Sequence, residues 1–164
     1  MDIDVFIKNW KDELRSEAKK RPGIQSISIV QVDPKEDSEL LKRCKEIGIV
    51  GFIYKIPIDS GINTKKLKNL LAQAESETEM VFLELPVPDF IDLEEIDSKY
   101  YKLPIGKGVV AFLKSQNIEG ELIEILVNEG YKVKVGDVEI DEVHVRELGY
   151  CALMEECLCS STLD

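Results

Sequence analysis

The chain has 164 residues, of which 44% are hydrophobic and 32% are charged, a composition typical of a soluble globular protein with a real core. It carries 32 acidic residues against 21 lysines and arginines, so its formal net charge is −11. A field of that sign repels phosphate groups, which argues against nucleic acid and anionic membranes as partners. The sequence has no membrane-length apolar run and no targeting signal at its acidic N-terminus. Four cysteines in this context predict reduced thiols and a cytoplasmic location.

Helical and strand-like patterns alternate along the first half of the chain, with short connections between them. In order, the patterns predict a helix over 3–18, a strand over 24–32, a helix over 38–47, a strand over 49–56, a helix over 64–74 that begins at Asn63 or Thr64, and a strand from Val81. Such alternation is typical of βαβ units around a parallel sheet.

The second half of the chain is predicted to be less regular at first. It is irregular from Pro88 to Pro104, and apolar spacing then predicts a helix over 106–116. A second helix is expected from Glu121 to Asn128, with Gly130 closing it. The remaining predicted elements are a strand over 131–135, a turn at Gly136-Asp137 and a closing helix within the last thirty residues.

The segment Val81–Pro88 is the first pointer to a functional site. It begins as an apolar run, as a strand buried on both faces does, and Glu84 interrupts that run. Pro86 ends the strand because proline cannot donate a backbone hydrogen bond, and Pro88 keeps the chain extended. Glu84 is therefore expected at the carboxyl end of a central strand, which is where open α/β sheets bind ligands.

Several short motifs occur in a characteristic order. Asp33-Pro34 follows the first strand, the segment Cys44–Ile49 (CKEIGI) ends the next helix, and the segment Leu83–Pro88 (LELPVP) ends the third strand. The segments Pro104–Leu113 and Val135–Val143 follow. Together they resemble the motifs of the bifunctional methylenetetrahydrofolate dehydrogenase/cyclohydrolase (FolD) family, over nearly the whole chain.

The resemblance implies an α/β fold with two parts. Residues 1–104 would form a three-layer αβα domain with a mainly parallel sheet, similar to the catalytic domain of that family. Residues 105–164 would be a truncated, Rossmann-like remnant of its nucleotide-binding domain with a closing helix. No G-x-G-x-x-G phosphate loop occurs, and Ile118-Glu119-Gly120 leads directly into the second predicted helix. We therefore expect no nicotinamide cofactor and no dehydrogenase activity.

The catalytic positions also depart from the family pattern. The family's tyrosine and lysine fall on Glu36 and Leu40 in one register, and near Ser38 and Lys42 in the other. The glutamine of its third-strand motif corresponds to Glu84, and its pterin-binding aspartate has no counterpart. The chain is therefore interpreted as a degenerate, internally truncated relative whose status as an enzyme is uncertain.

Lys42 and Glu84 are the candidate catalytic residues. Glu84 is a ligand-binding carboxylate, a partner of Lys42, or a solvent-exposed acid at the end of a strand. Lys42 is either a proton carrier or an ordinary solvated helix residue. Tyr100 either stacks on a flat heterocycle or covers the edge of the core. The candidate substrate-binding residues are Ser38, Leu85, Pro86, Pro88 and Tyr100.

A metal site is not expected from the cysteines. Cys151, Cys157 and Cys159 have a C-x5-C-x-C spacing, which matches no tetrahedral zinc framework even with His144 upstream. On a helix, Cys151 and Cys157 would point in different directions, so core packing explains them better than a metal does.

Three functions remain open from the sequence. The first is a non-catalytic homologue in folate one-carbon metabolism that binds a folate-like small molecule or another protein. The second is a residual cyclohydrolase-type enzyme that uses Lys42 and Glu84. The third is a structural or regulatory protein that forms a homodimer or pairs with a different protein, such as a full-length relative.

Overall fold

The structure, a computed structural model, describes residues 2–118, 123–127, 130–135 and 137–160. The helices are α1 (Ile3–Lys20), α2 (Glu39–Ile47), α3 (Thr64–Glu75), α4 (Ile105–Ser115) and α5 (Glu142–Ser160). The strands are β1 (Ser26–Val32), β2 (Val50–Ile56), β3 (Met80–Leu83), β4 (Ile123–Val127), β5 (Gly130–Val135) and β6 (Val138–Ile140). None of the described helices is long and apolar enough to cross a membrane.

Two compact units make up the chain. The first, the α/β unit, comprises Arg15–Lys102 and Cys157–Asp164, and the second, the α4–α5 unit, comprises Met1–Leu14 and Leu103–Glu156. The α/β unit holds a parallel sheet with strand order β2-β1-β3. The α/β class and the parallel sheet predicted from the sequence are thereby confirmed. The assignment of residues 105–164 to a nucleotide-domain remnant stays a prediction.

Helices cover both faces of the parallel sheet. Val30 and Val32 of β1 are buried in one cluster with Leu67 and Leu71 of α3. On the opposite face, a side chain at Gly51 would meet Leu41 of α2 and Ile29. Every residue of β1 is buried, as expected for a central strand that lies between two helical layers.

Two side-chain caps fix where the helices of the α/β unit begin. Asn63 accepts a hydrogen bond of 2.8 Å from the backbone N–H of Lys66, so the expected start of α3 is confirmed with Asn63 as the cap. Ser38 caps α2 in the same way, with 3.0 Å between its Oγ and the backbone nitrogen of Leu41. Gly48, with φ of 99°, ends α2 in the left-handed region that favours glycine.

The helix predicted from Glu121 to Asn128 is wrong. Residues Ile123–Val127 form β4, which pairs antiparallel with β5, and Gly130 begins that strand instead of ending a helix. The segment is rich in β-branched residues, and antiparallel pairing with β5 supplies its backbone hydrogen-bond partners. With β6, these strands form an antiparallel sheet in the order β4-β5-β6.

In the α4–α5 unit, the two helices approach each other closely at a glycine. A Cβ atom at Gly108 of α4 would lie 2.5 Å from the backbone oxygen of Leu148 in α5. The N-terminal part of α1 belongs to the same unit, where Phe6 packs edge-to-face on Phe112 at 5.3 Å between ring centroids. Trp10 donates a hydrogen bond of 2.7 Å to Glu155.

His144, the single histidine of the chain, lies between two carboxylates of the α4–α5 unit. Its Nε2 is 2.9 Å from Asp4 Oδ1, and its Nδ1 is 2.9 Å from Asp141 Oδ1. The hydrogen bonds to Asp4 and then to Asp141 raise the pKa of the imidazole above its usual 6.5, because they favour the protonated ring.

We expect the free energy of unfolding to fall, relative to the His144→Gln variant, as the pH rises through the raised pKa of His144. The folded state holds this proton more tightly than the unfolded chain, so the stabilisation is complete below pH 6.5 and disappears when the folded imidazole deprotonates. Urea unfolding of both proteins between about pH 5 and 9 measures the effect. A stability difference that does not change with pH would contradict it.

The four cysteines differ in exposure. Cys44, Cys151 and Cys157 are buried, Cys159 is exposed, and none forms a disulfide. Burial raises the pKa of both Cys44 and Cys157 to about 12, because it disfavours the thiolate.

One fast-reacting thiol is therefore expected in the native protein, and four are expected in denaturant. Titration with a chromogenic disulfide reagent measures both numbers, and Cys159→Ser serves as the control that should abolish the fast phase. Rapid reaction of a second thiol in the native protein would contradict the burial of the other three.

Candidate functional site

The candidate site lies at the carboxyl edge of the parallel sheet. Glu84 directly follows β3, and its backbone N–H donates a hydrogen bond of 2.9 Å to the carbonyl of Val30. The loop that follows β1 turns at Asp33, which has φ of 48° and donates its N–H to the carbonyl of Ile56 at the end of β2. The ends of all three strands therefore come together around this loop.

Ser38 connects the loop to Glu84. Its hydroxyl donates a hydrogen bond of 2.8 Å to Glu84 Oε2 and accepts the capping bond from the N–H of Leu41. The residue is only 2% exposed, and these two contacts use its single donor and one of its two acceptor positions. Ser38 and Glu84, both candidates from the sequence, are thus brought into direct contact.

The carboxylate of Glu84 is half-buried and is held by neutral donors. Burial raises its pKa, and the hydrogen bond from Ser38 partly offsets this effect. Among the described residues no cationic side chain bonds to Glu84, and Glu39, another acid, also raises its pKa. The carboxylate also accepts hydrogen bonds from the backbone N–H of Leu40 and from Gln31, so its charge is held by hydrogen-bond donors and not by an ion pair.

Gln31 is the residue that sequence reasoning missed. It lies on β1, is 7% exposed, and its Nε2 is 3.4 Å from both Glu84 Oε1 and the backbone oxygen of Glu36. Its Oε1 is buried without a hydrogen-bond partner. A long polar side chain in a fully buried strand, between Val30 and Val32, is the signal that could have identified it.

Lys42 does not join this cluster. It lies on the exposed face of α2, and its ammonium is 3.2 Å from Glu39 Oε1. The buried residues of that helix are Leu40, Cys44 and Ile47. The structure therefore pairs Lys42 with Glu39, and Glu84 with Ser38.

The three remaining candidates of the LELPVP segment form the exit from β3. Leu85 is 45% exposed and is joined to the exposed Pro86 by a cis peptide bond. Pro88 is half-buried, and its carbonyl accepts a hydrogen bond of 3.0 Å from the N–H of Ile91. Leu85 is thus an exposed apolar residue that follows Glu84 in the chain.

Tyr100 lies on the opposite face of the sheet from Glu84. Its ring packs against the cluster that contains Leu83, Leu67 and Leu71, on the α3 side. Burial and then a hydrogen bond to Glu75 raise the pKa of its hydroxyl to about 12. In this arrangement Tyr100 is separated from Ser38 and Glu84 by the sheet.

Comparison with solved structures identifies the fold. A FolD methylenetetrahydrofolate dehydrogenase/cyclohydrolase from Campylobacter jejuni matches 73% of this chain with a TM-score of 0.57 and 23% identity, over 55% of its own length. The fold of this chain is similar to that of part of a methylenetetrahydrofolate dehydrogenase/cyclohydrolase. A 5,10-methylenetetrahydrofolate dehydrogenase from Bombyx mori matches 71% of this chain, and 50% of its own, with a TM-score of 0.55 and 17% identity.

A third methylenetetrahydrofolate dehydrogenase-cyclohydrolase, from Trypanosoma brucei and solved with NADP and an inhibitor, matches 73% of this chain and 52% of its own, with a TM-score of 0.53 and 17% identity. The chain thus spans about half the length of each of these structures. No protein-family model and no curated protein sequence matches it.

A pattern similar to a dinucleotide-binding loop has a different explanation here. Residues 106–111 read Gly-Lys-Gly-Val-Val-Ala, a G-x-G-x-x-A sequence. In a dinucleotide-binding fold such a sequence follows a strand, whereas here it lies within α4 after a 3-10 turn at Ser98–Tyr100. Gly108 is required because α4 approaches the backbone of Leu148 there.

Metal chemistry has no support in the described ranges. No group of three histidine, cysteine or acidic side chains among them could hold a metal ion. His144, the nitrogen ligand considered from the sequence, bonds Asp4 and Asp141 with its two ring nitrogens.

Proposed function

We propose that this protein is a homologue of the methylenetetrahydrofolate dehydrogenase/cyclohydrolases that binds a folate-like small molecule at the carboxyl edge of its parallel sheet. It acts in the cytoplasm, in folate one-carbon metabolism, without NAD(P)-dependent dehydrogenase activity. The observation that carries the proposal is the 2.8 Å hydrogen bond between Ser38 and Glu84. It joins the helix after the Asp-Pro turn to the third-strand motif, and both segments are among those on which the resemblance to the family rests.

The chemistry of the cluster suits a ligand with N–H donors. Glu84 offers a carboxylate without an ion-pair partner among the described residues, and Gln31 has a buried oxygen without a hydrogen-bond partner. The flat ring of a folate carries amino and ring N–H groups that such acceptors can bind. Leu85, which follows Glu84 in the chain and is 45% exposed, supplies an apolar surface for the ring.

Two features argue against the family's redox chemistry. The sheet β4-β5-β6 is antiparallel, whereas dinucleotide-binding units use parallel strands. In addition, the only glycine pattern similar to a phosphate loop serves the packing of α4 on α5. Both features support a relative that has lost the nucleotide-dependent step.

The pairing of Lys42 weighs against the residual cyclohydrolase alternative. A lysine that moves protons in catalysis must reach the substrate, and its pKa is commonly tuned by burial. The side chain of Lys42 is 56% exposed and pairs with Glu39 on the surface. This arrangement favours binding without catalysis.

Calorimetric titration with tetrahydrofolate, with NADP as the control ligand, tests the proposal. We expect binding of tetrahydrofolate alone, and at least a roughly tenfold weaker affinity for Glu84→Ala, because the ligand loses its main acceptor. Lys42→Ala is the matched control and should bind as the native protein does. Absence of folate binding, or reduction of NADP with methylenetetrahydrofolate as substrate, would overturn the proposal.

A cyclohydrolase assay on the same proteins distinguishes a residual cyclohydrolase from a protein that only binds its ligand. If methenyltetrahydrofolate is hydrolysed above the spontaneous rate and Lys42→Ala abolishes this activity, the residual-enzyme hypothesis replaces the binding hypothesis.

A further inference from the structure

The hydrogen-bond donors around Glu84 are already committed. The hydroxyl of Ser38 and the backbone N–H of Leu40 both bond to the Glu84 carboxylate. The Nε2 group of Gln31 lies 3.4 Å from Glu84 Oε1 and 3.4 Å from the backbone oxygen of Glu36, so both of its hydrogens have an acceptor. The carboxylate thereby occupies the position at the start of α2 where an anion would otherwise bind. The side chains of this cluster therefore have no donor left for a carboxylate or phosphate group of a ligand.

Two acceptors of the same cluster are still open to a ligand. An ionised carboxylate can accept about four hydrogen bonds, and that of Glu84 receives bonds from Ser38, Leu40 and Gln31. The Oε1 atom of Gln31 is buried without a hydrogen-bond partner, in a residue that is only 7% exposed. A buried acceptor without a partner costs free energy, which an N–H group of a ligand would recover. The cluster is thus matched to a ligand with adjacent N–H donors.

The segments that border the cluster add negative charge. Residues 33–39, which lead from β1 to α2, contain four acids and one lysine, and that lysine pairs with Asp33 at 3.1 Å. Lys55, near the end of β2, pairs with Asp37 at 3.7 Å. Residues 84–92, which leave β3, contain three acids and no basic residue. In a chain with a net charge of −11, the field at this edge of the sheet therefore favours cations and opposes anions.

We propose that this cluster selects a compact heterocycle with a cyclic amidine or guanidine group and disfavours a ligand with an anionic tail. The inference rests on the proposed function and narrows its ligand. The pterin ring of a folate carries such a group, whereas the glutamate carboxylates of a folate meet the negative field of residues 33–39 and 84–92. The amino and ring N–H groups bind Glu84 and the oxygen of Gln31. A pterin without the tail therefore binds more tightly than tetrahydrofolate.

Calorimetric titration of the native protein with a methyl-substituted tetrahydropterin and with tetrahydrofolate tests the preference. At about 20 mM salt we expect the pterin to bind at least about fivefold more tightly, and this ratio should shrink at about 300 mM salt, because salt screens the repulsion of the glutamate. Equal or tighter binding of tetrahydrofolate, or a ratio that does not change with salt, would overturn the inference and leave the proposed function intact. Binding of the pterin alone would support the inference but exclude folate as the ligand. If neither ligand binds, both the inference and the proposed function are wrong.

Substitution of Gln31 tests the second acceptor separately. Gln31→Leu removes the buried oxygen and should weaken pterin binding at least about fivefold, because an N–H group of the ligand loses its acceptor. Gln25→Leu is the matched control, since Gln25 precedes the same strand at its opposite end, is 5% exposed and also has an unpartnered Oε1. The control should bind as the native protein does, and circular dichroism checks that both variants are folded. Unchanged affinity of folded Gln31→Leu, or equal losses in both variants, would exclude Gln31 as an acceptor for the ligand.

Discussion

Replacing Gly108 with alanine is expected to lower the free energy of unfolding by about 3 kcal/mol. The new methyl group would lie 2.5 Å from the backbone oxygen of Leu148 and 2.6 Å from its carbonyl carbon, closer than non-bonded atoms approach. Backbone atoms of α5 cannot move aside as a flexible side chain can, so α4 and α5 must separate and lose packing. The loss should therefore exceed the small gain in helix propensity that alanine brings.

The chain offers both a reporter and a matched control for this substitution. Trp10 is the single tryptophan and belongs to the same compact unit as Gly108, so its fluorescence follows unfolding of that unit in urea. Gly106→Ala lies in the first turn of the same helix, and its Cβ would have no neighbour within 4 Å. The control should be neutral or stabilising by up to about 1 kcal/mol. Equal effects of the two substitutions would show that α4 and α5 do not meet closely at Gly108.

Replacing Ser38 with alanine is the second change with a large expected effect, about 2 to 3 kcal/mol of unfolding free energy. The serine hydroxyl caps α2 through the N–H of Leu41 and donates to the half-buried carboxylate of Glu84. Alanine removes both bonds and leaves Glu84 without its shortest hydrogen bond from a side chain. The pKa of Glu84 should then rise further, because the bond from Ser38 is what offsets burial most.

Two comparisons separate the stability that Ser38 contributes as a helix cap from the stability that it contributes through its contact with the Glu84 carboxylate. Asn63→Ala removes the cap of α3 alone and should cost about 1 kcal/mol. In a double-mutant cycle of Ser38→Ala with Glu84→Gln, monitored by circular dichroism in urea, the coupling should be about 1 kcal/mol. Strictly additive effects would mean that Ser38 acts only as a helix cap, and would remove the contact on which the proposed binding site rests.

Much of the α/β unit could be predicted from the sequence because its signals are local. Apolar periodicity, the Asn63 cap and Gly48 at the end of α2 mark its elements within one or two residues of their observed ends. The prediction of a helix over 121–128 was wrong because a short apolar segment is compatible with both the helical and the strand periodicity. The antiparallel partner Gly130–Val135 decided in favour of a strand.

The candidate site was harder to predict because it depends on which face of the sheet each side chain occupies and on contacts between residues far apart in the chain. Ser38 and Glu84 are 46 positions apart and meet because the loop after β1 and the end of β3 reach the same edge of the sheet. Tyr100 was grouped with them, but it lies across the sheet, beside α3. A shift of one residue along a strand moves a side chain to the opposite face of the sheet. The order of motifs along the chain does not show which face each side chain occupies.

The amino-acid sequence by itself determined the order of helices and strands in the α/β unit, the start of α3, the acidic net charge and the parallel βαβ arrangement, because each follows from composition or from residues close together in the chain. Only the tertiary structure decided that Lys42 pairs with Glu39 instead of Glu84, that Gln31 lies beside Glu84 and that Gly108 serves helix packing. It also decided that, within the described ranges, β2 pairs with β1 alone. Those outcomes depend on how separate elements are rotated and stacked, which is set by burial of the core as a whole.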